Sequence, residues 1–72
     1  MPTHYTHEQI TEQVKRYIKK YFENKNPLFI EYVGVNQGAF SRMMRGELPW
    51  NNAVLETIGY EREKMAYVRR KQ

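Results

Sequence analysis

Seventy-two residues, 40% of them hydrophobic, suffice for one core and a single domain, 1–72, and are too few for two. With no cysteine in the chain, disulfides and thiolate metal sites are excluded, so helix packing or self-association must supply the stability that so small a domain needs. Twelve Lys and Arg against eight acidic residues give a net charge of +4, which favours a polyanionic partner but also suits a plain solvated face.

The first element is predicted between Thr6 and Phe22. Ile10, Val14, Tyr17, Ile18, Tyr21 and Phe22 recur at helical spacing, with Lys15, Arg16, Lys19 and Lys20 on the other side. Thr6 and Gln9 stand at the spacing of a capping box, and Glu8 suits the positive end of the helix dipole. Asn24 to Asn26 breaks the pattern. Asn26 followed by Pro27 then reads as the cap and first residue of a short second helix that ends at Val33 and Gly34. Asn36 caps a third helix with Phe40 and Met43 or Met44 facing inward, and Gly46 stops it. Pro49 interrupts the chain, and Asn51 or Asn52 restarts a fourth helix through Val54, Leu55 and Ile58, ended by Gly59. Tyr60, Met65, Tyr67 and Val68 predict a fifth helix over about 60–71, closed by the charges of Arg69, Arg70 and Lys71. The expected fold class is therefore all-α, a compact bundle of about five short helices.

The informative stretch is about 27–46, where a helix ends at a glycine, a short turn follows and the next helix opens on polar residues. A helix entering the major groove of DNA shows its first turns to base edges, so those positions need paired donors and acceptors, while the preceding helix braces the unit. Asn36, Gln37, Ser41, Arg42 and Arg45 fall on the outward side of the third helix, with Gly38 permitting close approach. Gln can bond an adenine edge and Arg a guanine edge in bidentate fashion, each giving roughly 1–3 kcal/mol of discrimination. Lys15 and Lys19 are candidates for phosphate contact, which would set affinity and salt dependence without carrying base identity.

The run Gly34-Val35-Asn36-Gln37-Gly38-Ala39-Phe40-Ser41-Arg42-Met43-Met44-Arg45-Gly46 resembles the Gly-Val-Ser-Gln-x-x-[Ile/Val]-Ser-[Arg/Lys]-x-x-x-Gly pattern of the Cro and phage-repressor helix-turn-helix superfamily, also called xenobiotic-response-element-like. The resemblance covers about residues 28–60. It implies a lambda repressor-like fold, groove contacts from Gln37, Gly38, Ser41, Arg42 and Arg45, and a phosphate contact from Asn36. It also implies a transcriptional regulator of the kind encoded by phages or plasmids. Two positions depart from the pattern: Ile30 stands where the family usually has Ala, and Phe40 replaces a β-branched residue, which predicts looser packing between the two helices.

One reading helix covers few base pairs, so the expected unit is a homodimer on a palindromic operator, with repression inferred from the lack of room for a sensing or activating domain. Trp50, Tyr60, Tyr67 and Val68 are the candidate dimer residues, although all four also suit the core of a single chain. Two other classes compete: a helical protein-interaction module, and a DNA-bending recombination accessory factor. An enzyme is not expected, because Ser41 is the sole serine, Asp and Cys are absent, and His4 and His7 lie together at the N-terminus. The same inventory leads us to expect no cofactor, no metal and no small-molecule ligand. No apolar run approaches the roughly 18 residues of a membrane span and no export signal is visible, so a cytoplasmic protein with no membrane partner is expected.

Overall fold

The computed structural model describes residues 3–64 and 66–70. Among them, four helices, α1 (His7–Tyr21), α2 (Asn26–Val33), α3 (Gln37–Met44) and α4 (Asn52–Ile58), precede an antiparallel hairpin of β1 (Tyr60–Glu63) and β2 (Ala66–Arg69).

Each helix starts where a short polar side chain or a proline can satisfy or remove the first unpaired backbone donors. For α1 the cap is Thr6, whose side chain accepts from Gln9 N–H at 3.1 Å while the Gln9 side chain accepts from Thr6 N–H at 2.8 Å. Asn51 caps α4 by accepting from Val54 N–H at 2.9 Å. The start of α2 lies one residue earlier than its sequence suggests: Lys25 is the cap, Asn26 is already helical, and Pro27 occupies the first turn. Between α1 and α2 the chain reverses through Glu23 and Asn24, both in the left-handed region at φ 52 and 63. Asn tolerates that conformation readily; Glu does so at a cost of order 1 kcal/mol.

α1 lays Ile10, Val14 and Ile18 into a core that also takes Phe29 of α2, Phe40 and Met43 of α3, Trp50, and Val54 and Leu55 of α4. Trp50, entirely buried, is its largest member. The indole N–H donates to Thr11 Oγ1 at 3.2 Å, and the Thr11 hydroxyl donates in turn to the His7 carbonyl at 2.9 Å. The one buried polar side chain among the described residues is thus paired on both sides.

The predicted fifth helix is a hairpin. Gly59 ends α4, and the chain continues extended, pairing Tyr60 with Arg69, Glu61 with Val68, Arg62 with Tyr67 and Glu63 with Ala66. Lys64, at φ 55, supplies the left-handed backbone that tight hairpin turns require. Tyr5 extends this small sheet on its other side: its N–H donates to Tyr67 O at 2.7 Å and its carbonyl accepts from Tyr67 N–H at 3.2 Å. A helix would have left the Tyr5 backbone without these bonds. Met65 and Lys71, assigned to the fifth helix from their spacing, lie outside the described residues.

The four candidate dimer residues lie inside the single chain. Trp50, Tyr60, Tyr67 and Val68 are 0, 5, 4 and 3% exposed within a single chain, so their apolar surface is spent on the protein's own core. The ring of Tyr60 packs edge-on to Tyr5 with centroids 5.1 Å apart. No helix among the described residues is long and apolar enough to cross a membrane.

Candidate nucleic-acid interface

The segment linking α2 to α3 is three residues long, Gly34, Val35 and Asn36. Gly34 adopts φ 85, a left-handed backbone in which any Cβ is strained, and its N–H closes on the Ile30 carbonyl at 2.9 Å. Asn36 then opens α3, its side-chain oxygen accepting from Ala39 N–H at 3.2 Å. These two local devices fix how the second helix leaves the first.

Rotation of α3 about its own axis is set by Phe40 and Met43, both 2% exposed. Phe40 sits between the rings of Phe29 and Trp50, with centroids 5.9 and 5.8 Å away, so the bulk of the aromatic ring is absorbed by the core. Ile30 is half-buried against the same cluster. With the inward side defined, Asn36, Gln37, Gly38, Arg42 and Arg45 are exposed and Ser41 is half-buried. Gln37, Gly38, Ser41, Arg42 and Arg45 follow one another at helical spacing on the side of α3 away from Phe40 and Met43, with Asn36 at its start.

The far end of α3 is anchored by His7, a residue to which the sequence assigned no role. His7 Nε2 lies 2.7 Å from the Met43 carbonyl, an atom that can only accept, so in the neutral ring this nitrogen carries the proton. Nδ1, 3.2 Å from the Tyr67 hydroxyl, is then the acceptor. The ring stacks on Trp50 with centroids 5.6 Å apart. His4 stands apart from it, 3.6 Å from a Glu63 carboxylate oxygen.

The basic residues of α1 do not act as one face. Lys15 lines an open groove of about 790 Å³ whose opposite wall is the end of α3, with Met44, Arg45 and Gly46, and it lies 3.8 Å from Glu12. Lys19 is exposed one helical turn further along the same stripe. Arg16 and Lys20 belong to a separate depression with Tyr17, Tyr21 and Ile58, and Lys20 Nζ sits 5.2 Å above the Tyr21 ring. Of these four basic residues, Lys15 is the one that shares a groove with the end of α3.

Glu47 is the feature that sequence reading passed over. Its carboxylate accepts from Arg45 Nε at 2.6 Å. That hydrogen bond, and secondarily the positive charge, holds the Glu47 carboxyl below its ordinary range, while the same contact pushes the Arg45 guanidinium up. The only signal available beforehand was an acidic residue two positions after an arginine, across a glycine. Comparison of the chain with known protein families, curated proteins and solved structures found no match in any of the three.

Proposed function

We propose that the protein binds double-stranded DNA sequence-specifically through α3 and acts in the cytoplasm as a transcriptional regulator, a repressor that occupies a palindromic operator as a homodimer. The observation that carries this reading is a polar, exposed helix side whose orientation is locked from beneath. Phe40 and Met43 pin α3 to the core, Asn36 caps its start, and Gln37, Ser41, Arg42 and Arg45 are left facing outward. An interface that reads bases needs this combination of donor-rich side chains on a rigid element. Lys15 lies across the protein's groove from Arg45, which supports a phosphate contact beside the bases that α3 reads. The motif from Gly34 to Gly46 supports a lambda repressor-like assignment of the helical part.

The test is selection of duplexes from a randomised pool at about physiological salt, followed by anisotropy titration of the selected site. Enrichment of a two-fold symmetric sequence is expected. Gln37→Ala and Arg42→Ala should each weaken that site by roughly tenfold or more while leaving binding to unrelated duplex nearly unchanged. Lys15→Ala should weaken both alike and reduce the salt slope by about 1. No enrichment and no salt-sensitive binding would reject the proposal and favour a protein-interaction module.

A further inference from the structure

The end of α3 is more tightly organised than a helix merely running out. Gly46 takes φ 82, its N–H donates to the Met43 carbonyl at 3.2 Å, and the Glu47 N–H donates back to the Arg42 carbonyl at 2.8 Å. This pair of reversed bonds is a Schellman motif, which ties the two residues beyond the helix to its last turn. Glu47 therefore has a fixed place relative to Arg45, and its carboxylate meets the guanidinium at Nε, 2.6 Å away.

Bonding through Nε leaves the other edge of the guanidinium, Nη1 with Nη2, unbonded among the described residues. A planar fork held by its inner nitrogen has a defined direction as well as a charge. The pair contributes little to folding, since both side chains are more than half exposed, at 59 and 55%, where ion pairs are weak. A fixed arginine does have a use in binding, because a side chain already ordered loses less entropy when it docks. The carboxylate also selects the target. Beside a phosphate it would face a like charge, whereas the O6 and N7 acceptors of guanine match the fork and carry no formal charge.

We propose that Glu47 is a positioning residue that aims Arg45 at a guanine in the major groove and thereby sets one base of the recognised site, an inference that rests on α3 being the reading helix. Glu47 touches no base itself; it acts through the arginine.

The experiment uses the full chain and the selected duplex, with every single base substitution competed against the wild-type site, for Arg45→Ala, Glu47→Ala and Glu47→Gln. Arg45→Ala should abolish the preference for guanine at one position. Glu47→Ala should reduce that same preference about tenfold and leave the other positions unaltered. Glu47→Gln keeps a carbonyl oxygen to accept from Nε and should retain most of the preference. In the Arg45→Ala background, Glu47→Ala should change the base preference no further. The Arg45 Nε–H proton resonance, followed in free protein, should be slowed in exchange in the wild type and lost into solvent exchange in Glu47→Ala. If Glu47→Ala and Glu47→Gln instead tighten binding to all duplexes equally, the carboxylate only repels DNA and the inference fails. A uniform loss of affinity in Arg45→Ala, with base preferences intact, would place the arginine on a phosphate and also overturn it. Base preference lost in Gln37→Ala and Arg42→Ala but indifferent to Glu47 rejects this inference alone; no base preference in the wild type rejects the reading helix itself.

Discussion

The hydroxyl of Tyr67 accepts the Trp50 backbone N–H at 3.0 Å and donates to His7 Nδ1, so one atom joins β2, the connector before α4 and the start of α1. Replacing Tyr67 with Phe keeps the buried ring and removes only that atom, leaving the Trp50 N–H and a ring nitrogen without their partner. The expected loss is about 1–3 kcal/mol in urea unfolding, and each kcal/mol corresponds to about 4–8 °C in Tm for a domain of this size. A loss below the error of the measurement would show that solvent replaces the hydroxyl. Glu47 gives a residue-scale pH dependence of known sign. A carboxyl held down in the folded chain stabilises it at pH above the unfolded carboxyl range, and that contribution is lost as pH falls through the folded value. Exposure of more than half of both side chains keeps it small. Of these residues, the exposure of Arg45 was legible from its helical spacing, whereas the contacts of His7 and Glu47 depend on the folded backbone, Met43 O and the Gly46 turn.

Among the elements, all four helices were legible because each carries its own punctuation: Thr6 with Gln9, Pro27 with Gly34, Asn36 with Gly46, and Asn51 with Gly59. Local chemistry of this kind is encoded within a few residues. The hairpin was not legible for the opposite reason. Glu61, Arg62, Glu63 and Lys64 show no apolar alternation and no Asn-Gly or Asp-Gly turn, and Tyr60, Tyr67 and Val68 fit a helical stripe equally well. What decides the matter is pairing with Tyr5, far away in sequence. The turn between α2 and α3 offers an element-scale test. A Cβ at Gly34 would meet no heavy atom within 4 Å, so Gly34→Ala carries only the strain of φ 85, about 1 kcal/mol. A loss near that value by thermal or urea unfolding, with α-helical circular dichroism unchanged, is expected; a loss above about 3 kcal/mol would mean that the helix pair had been displaced.

For the molecule as a whole, the core is assembled from every element, with the hairpin contributing Tyr60, Tyr67 and Val68 to an interior that a chain of 72 residues has little to spare from. A chain ending at Gly59 should therefore lose its cooperative thermal transition and most of its far-ultraviolet helical signal, despite retaining α1 to α4 in sequence. A sharp melt in that truncated chain would show that the hairpin is an appendage. The same allocation of apolar surface bears on assembly: a homodimer of this protein must pair through groups other than Trp50, Tyr60, Tyr67 and Val68, which the monomer has already enclosed.

Tyr5 paired to Tyr67, and His7 bonded to the Tyr67 hydroxyl sixty residues along the chain, join one end of the described structure to the other. The polypeptide is in effect a ring fastened without a covalent bond. Closing such a ring costs more chain entropy than forming any neighbouring helix pair, so α2 and α3 can assemble early while this clasp is set last. Once set, it makes the support of α3 through His7 contingent on completion of the whole circuit: a nascent chain still lacking β2 has α3 but not the Tyr67 hydroxyl that orients the His7 ring against its end.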